Sequence, residues 1–98
     1  MTADAQDSGT IVREIPIINQ KGLHARASAR FVQTVDKFNA EVTVSRGGET
    51  VGGTSIMGLL MLAAARGSSI TVAARGPDAE AVIAAIEALC ADRFGEEE

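Results

Sequence analysis

Tryptophan and tyrosine are absent from this 98-residue chain and phenylalanine occurs only three times, so a core must be built mainly from Ile, Val, Leu, Met and Ala. The supply is ample: 46% of the residues are hydrophobic and 22% charged, a balance that excludes disorder for most of the chain. There is one cysteine, Cys90, which cannot close an internal disulfide, and one histidine beside it is too little soft-ligand chemistry for a zinc site. No metal and no cofactor are expected. Basic residues are the minority, 9 against 13 acidic, and the formal net charge of −4 repels polyphosphate, which disfavours nucleic-acid binding. The longest apolar run, Ile56 to Ala65, is interrupted by Gly58 and falls well short of the ~20 residues that cross a bilayer. The first ten residues carry Asp4 and Asp7 with no basic and then apolar stretch, so no secretory signal is expected and the expected compartment is the cytoplasm.

At this length one domain is expected. Residues 1–10 are small, polar and aperiodic, and 95–98 end in three glutamates, so both read as solvated tails around a domain at 11–94. Ile11 to Ile18 is β-branched, and Pro16, lacking an N–H, places it at a sheet edge. A helix from about 24 to 38 follows from the spacing of Ser28, Phe31, Val32, Val35 and Phe38. Residues 40–45 alternate, Gly47-Gly48 supplies a hairpin turn, and 49–52 return. Ser55 is a good N-cap for a short apolar helix that turns Leu59, Leu62 and Ala63 inward and stops at Gly67. Residues 69–75 alternate again. A final helix opens at Gly76-Pro77-Asp78, with Pro77 in its first turn, and carries an inward stripe of Ala79, Val82, Ile83, Ile86, Leu89 and Cys90, where the thiol is buried and inert. The order β-α-β-β-α-β-α predicts a two-layer α+β sandwich with one antiparallel sheet covered on one face by three helices.

The chemistry sits in Gly22-Leu23-His24-Ala25-Arg26, with the only histidine at the start of the first helix. The first-turn N–H groups of Ala25 and Arg26, the helix dipole and the Arg26 guanidinium all favour an anion beside the ring, and a phosphate fits. A neutral imidazole is nucleophilic without a separate base, so a phospho-His24 that later gives up its phosphoryl group is chemically sound. A histidine in such a place is also compatible with an ordinary surface residue, and a second motif separates the two. Thr54-Ser55-Ile56-Met57-Gly58-Leu59-Leu60 follows downstream.

These two motifs together resemble the phosphorylated-histidine and regulatory-serine signatures of the histidine-containing phosphocarrier (HPr) family of the bacterial phosphotransferase system, over about residues 11–92. The resemblance implies a four-stranded antiparallel sheet in order 1-4-2-3, which agrees with the edge position of Pro16. It implies that His24 takes a phosphoryl group on Nδ1 from phosphorylated enzyme I and passes it to an enzyme IIA-type protein, in a sugar-linked or nitrogen-related branch, with Arg26 assisting. It further implies that Ser55 matches the serine modified by an HPr kinase/phosphorylase in part of the family, and that Ile56, Met57 and Leu60 form the apolar docking patch. Ser55 is equally explained as a helix cap, and the apolar trio as core.

Two features depart from the family pattern: Ala27 stands where proline is usual, leaving the His24 turn less preorganised, and the N-terminal extension is an added tail. A regulatory binding module acting through the Ser55 helix is the competing function, and the presence of both His24 and Arg26 favours the carrier. A self-contained enzyme is disfavoured, because no second acid-base group or cofactor loop accompanies His24, and Gly52-Gly53-Thr54-Ser55 lacks the Lys of a P-loop. A carrier that must release each partner is expected to be a monomer with small, transient interfaces.

Overall fold

The computed structural model describes residues 10–96. Strand β1 (Thr10–Pro16) is followed by helix α1 (Ala25–Val35), the hairpin β2 (Glu41–Arg46) and β3 (Glu49–Gly52), helix α2 (Ile56–Leu62), strand β4 (Ser69–Arg75), helix α3 (Ala79–Ala91) and a short 3-10 turn at Arg93–Gly95. The sheet is antiparallel with order β1-β4-β2-β3.

Strand β1 pairs along its whole length with β4, from Thr10 opposite Arg75 to Pro16 opposite Ser69. Pro16 thus ends an edge strand, where its missing donor breaks no inner ladder. Ile17 adds one more bond, its N–H donating to Ser68 O at 2.8 Å, while Ile18 lies beyond the strand. Thr10, expected in the tail, opens β1; residues 1–9 of that expected tail, with Asp4 and Asp7, lie outside the described residues.

Alternation divides the sheet cleanly. Ile15, Val42, Val44, Ile70, Val72 and Ala74 are buried on one face, and Val12, Thr43 and Thr71 are exposed on the other. The helices cover the buried face, α1 through Ala27, Phe31 and Val35, α2 through Leu59 and Leu62, and α3 through Ala79, Val82, Ile83, Ile86 and Cys90. Gly47 and Gly48 both take positive φ, +60° and +86°, the geometry of a two-residue hairpin turn whose twist suits the strands.

Three further boundaries differ from the sequence expectation. Helix α1 stops at Val35, and Phe38 packs against the core from the turn that follows. Helix α2 ends at Leu62, with Ala63 in the left-handed region at φ 53° and exposed; Gly67 belongs to the turn before β4. The early stop is imposed from outside the helix, because the chain must turn there to bring Ala64 O to the Leu23 N–H at 2.9 Å. Pro77 precedes α3 instead of entering it, since Asp78 is the N-cap. The Asp78 carboxylate makes no cap and accepts the Asn39 N–H at 2.7 Å, tying α3 to the start of the hairpin.

Candidate functional site

The loop before α1 is built to hold His24 in one place. Asn19 is fully buried; its Nδ2 donates to Gly22 O at 2.8 Å while the Gly22 N–H donates to Asn19 O at 3.2 Å. Gly22 has φ +67°, and a Cβ there would stand 2.4 Å from Ala64 O, so only glycine lets this loop lie against the end of α2. Leu23 is buried, and the chain enters α1 at His24 with extended backbone, φ −79° and ψ −174°.

His24 is itself the N-cap. Its Nδ1 accepts the Arg26 N–H at 3.2 Å, the part usually played by a Ser, Thr, Asn or Asp oxygen. The other ring nitrogen, Nε2, is paired with Glu96 Oε2. A neutral ring with its proton on Nε2 satisfies both contacts, donating to the carboxylate and accepting from the helix amide.

Glu96 corrects the expectation of a solvated acidic tail. Its side chain is 13% exposed and that of His24 27%. The reason lies in the preceding turn: Phe94, 1% exposed, plugs the core, and Arg30 Nη1 donates to Phe94 O at 2.6 Å. Arg93, Phe94 and Gly95 all take positive φ, at 56°, 56° and 75°, which curls the chain back over the start of α1. Glu97 and Glu98 of the same expected tail lie outside the described residues. The signal for this contact was a large apolar residue followed by glycine next to a run of carboxylates, in a chain with one histidine to receive them.

Asn19 Nδ2 also reaches both Glu96 oxygens, at 3.2 Å each. With its donor end so committed, Asn19 Oδ1 has no partner among the described residues, a cost of order 1–3 kcal/mol carried by the site. Burial pushes the Glu96 carboxyl up, but the hydrogen bonds from His24 and Asn19 and the charges of His24 and Lys21 more than offset it, leaving it below the ordinary value. Lys21, His24, Ala25, Arg26 and Glu96 line an open depression of about 330 Å³. The Arg26 guanidinium makes no hydrogen bond or ion pair among the described residues and stands at the rim. Ala27, the departure from the family pattern, is fully buried in the first turn of α1.

Ser55 is the N-cap of α2, its Oγ accepting the Gly58 N–H at 3.0 Å, and it is exposed. Beyond it Ile56 is 42% and Met57 68% exposed, Leu60 is half-buried, and Leu59 and Leu62 are in the core. Ala63, expected inward, is exposed because the left-handed turn carries it off the helix face. Met61, 67% exposed, extends the apolar surface and was missed, although its position one turn after Met57 is the signal that would have found it. Cys90 is buried among aliphatic side chains, which, with Glu87 nearby, pushes its thiol up to about 12.

The site is thus a capping histidine paired with a carboxylate beside an open depression, on a small four-stranded sheet covered on one face by helices. Residues 11–92 match the family described as the PTS HPr component phosphorylation site. The phosphocarrier protein HPr of Cupriavidus necator is 49% identical over 86 residues, covering 88% of this chain and 97% of that protein. The phosphocarrier protein NPr of Shewanella violacea is 39% identical, covering 86% of this chain and 92% of its own length. The crystal structure of HPr-C-His from Thermoanaerobacter tengcongensis superimposes with a TM-score of 0.85 at 39% identity, covering 90% of this chain and 99% of that one. The chain belongs to the HPr family, the phosphocarrier proteins of the phosphotransferase system.

Proposed function

We propose that His24 is the phosphoryl acceptor and donor of this carrier, receiving the group on Nδ1 from phosphorylated enzyme I and delivering it to an enzyme IIA-type protein. The observation that carries this reading is the direction of the Nδ1 lone pair, which points at the Arg26 amide in the first turn of α1. A phosphoryl group on that nitrogen meets the amides of Ala25 and Arg26 and the positive end of the helix dipole. Arg26 swings a fork of donors onto the phosphoryl oxygens and spreads their charge. These are electrostatic holds, so the P–N bond keeps its reactivity for onward transfer.

Ile56, Met57 and Leu60, extended by Met61, supply the docking patch for both partners; methionine repacks against unlike surfaces at little cost. Ser55, exposed at the start of α2, is the site at which an HPr kinase/phosphorylase would act, placing a dianion beside that patch. The functional unit is the domain from the start of β1 at Thr10 through Glu96, working as a cytoplasmic monomer in transient complexes. No described helix is long and apolar enough to cross a membrane. Relatives named HPr and NPr both align along most of the chain, and the downstream acceptor decides between the sugar-linked and nitrogen-related branches.

The test is incubation with phosphoenolpyruvate and a bacterial enzyme I, following intact mass and the acid lability of the product. One acid-labile phosphate, absent in His24→Ala, is the expected result. Full phosphorylation of His24→Ala would reassign the acceptor.

A further inference from the structure

We propose that Glu96 is a positioning residue for His24, its carboxylate holding the ring proton on Nε2 so that Nδ1 stays unprotonated and can exchange its hydrogen bond from the Arg26 amide for the incoming phosphoryl group. The inference rests on the phosphocarrier reading of His24. Its geometric basis is independent of that reading: Nε2 pairs with Glu96 Oε2, Nδ1 accepts the Arg26 N–H, and a single tautomer serves both.

The carboxylate is held on purpose-built supports. Asn19, fully buried, donates to both of its oxygens, and Phe94 and Arg30 fix the turn from which it projects. Arg93 and Phe94 accept left-handed backbone, which L-residues adopt at a cost, and that turn delivers the side chain to the ring. A carboxylate left to solvent needs none of these contacts.

The electron count shows what the pair contributes. As the Nδ1–P bond forms, the P–N bond of the donor phosphohistidine breaks and its electron pair returns to the donor nitrogen. No proton leaves Nε2, so positive charge develops on the His24 ring directly opposite Glu96 and is offset there. In onward transfer the Nδ1–P bond breaks, the pair returns to Nδ1, and the ring departs as the neutral Nε2–H form. The charged groups facing the ring and its partner are Glu96 from the C-terminal turn, Lys21 from the preceding loop and Arg26 from α1, with Arg30 of α1 on the turn itself. Lys21 and Arg26 are cations, which suit the phosphoryl oxygens, and among the described residues Glu96 is the one anion lining the depression.

The experiment uses the full chain labelled with ¹⁵N in its imidazole, observed at alkaline pH, together with Glu96→Ala and Glu96→Gln. In the unaltered protein the expected spectrum has a protonated, slowly exchanging Nε2 and an unprotonated Nδ1. Glu96→Ala loses the slow exchange and accepts phosphate from phosphorylated enzyme I about five- to tenfold more slowly, with KM for that donor unchanged. Glu96→Gln, which can still accept the Nε2 proton without the charge, restores the slow exchange but not the rate. An unaltered protein with its proton on Nδ1, an unchanged rate in Glu96→Ala, or a rise in KM instead of a slower step would overturn the proposal. If Glu96→Ala fails to fold, the spectrum of the unaltered chain and the rate of Glu96→Gln decide. Absence of acid-labile phosphate on His24 in the unaltered protein would overturn the carrier reading instead, and the Nε2 signal still reports on the pair.

Discussion

A neutral imidazole has one donor and one acceptor, and at His24 both are committed, to a carboxylate on one side and a helix amide on the other. In the proposed carrier Arg26 contributes twice, through its amide to the resting ring and through its guanidinium to the phosphoryl group. Arg26→Ala therefore keeps the cap and loses the charge. Transfer should slow about tenfold, less than for loss of a buried donor, while the thermal midpoint reports a stability change within about 0.5 kcal/mol. Glu96 gives the residue scale its pH signature. Its carboxyl is held below the ordinary value of 4.5 in the folded state, so it takes up a proton later than in the unfolded chain as the medium is acidified. The stability it contributes is complete above that ordinary value and is lost as pH falls through the lower, folded one. A comparison of melting temperatures between the unaltered protein and Glu96→Gln should show a gap at neutral pH that closes in acid; a gap that persists in strong acid would place its origin elsewhere.

At the scale of elements, the features legible in the sequence were those set by neighbours in the chain. The Gly47-Gly48 turn, the alternation of β2 and β4 and the stripe of α3 each follow from local rules, and the structure repeats them. The end of α2 did not follow, since Ala63 turns left-handed to serve a bond between Ala64 and Leu23, a partner 41 residues away that no local pattern announces. That turn is a place of stored cost. Ala63 is exposed and loses no packing on replacement, so Ala63→Gly should raise stability by roughly 0.5–1 kcal/mol, the left-handed penalty less the entropy that glycine adds to the unfolded chain. Urea unfolding measures it, and a loss of stability would mean that the methyl group packs usefully. The 3-10 turn was invisible for the same reason. Phe94 earns its place by burial against elements far upstream, and only then does Glu96 meet His24.

Across the whole molecule, the edge position of β1 was readable from Pro16, and the family motifs supplied the strand order that the structure displays. His24 and Arg26 stand together at the start of α1, while Ser55, Ile56 and Met57 stand at the start of α2, and the Leu23 N–H bond to Ala64 O joins the loop before α1 to the residues just beyond α2. A surface that serves two partners in turn must be apolar enough to hold and small enough to release. By its exposure Met61 would extend the proposed docking surface, so Met61→Glu should raise KM for enzyme I about tenfold with little change in melting temperature. An unchanged KM would exclude Met61 from the interface. The pairing of His24 with Glu96 also has a consequence during synthesis. The two residues are 72 positions apart, and every element except β1 lies between them. A growing chain therefore carries its histidine long before the carboxylate that orients it. If the pair acts as proposed, such a chain reaches its full rate of phosphate acceptance only after the rest of the fold has been made, so a ribosome-bound fragment presenting the histidine early would be a slower thief of phosphate from the working pool.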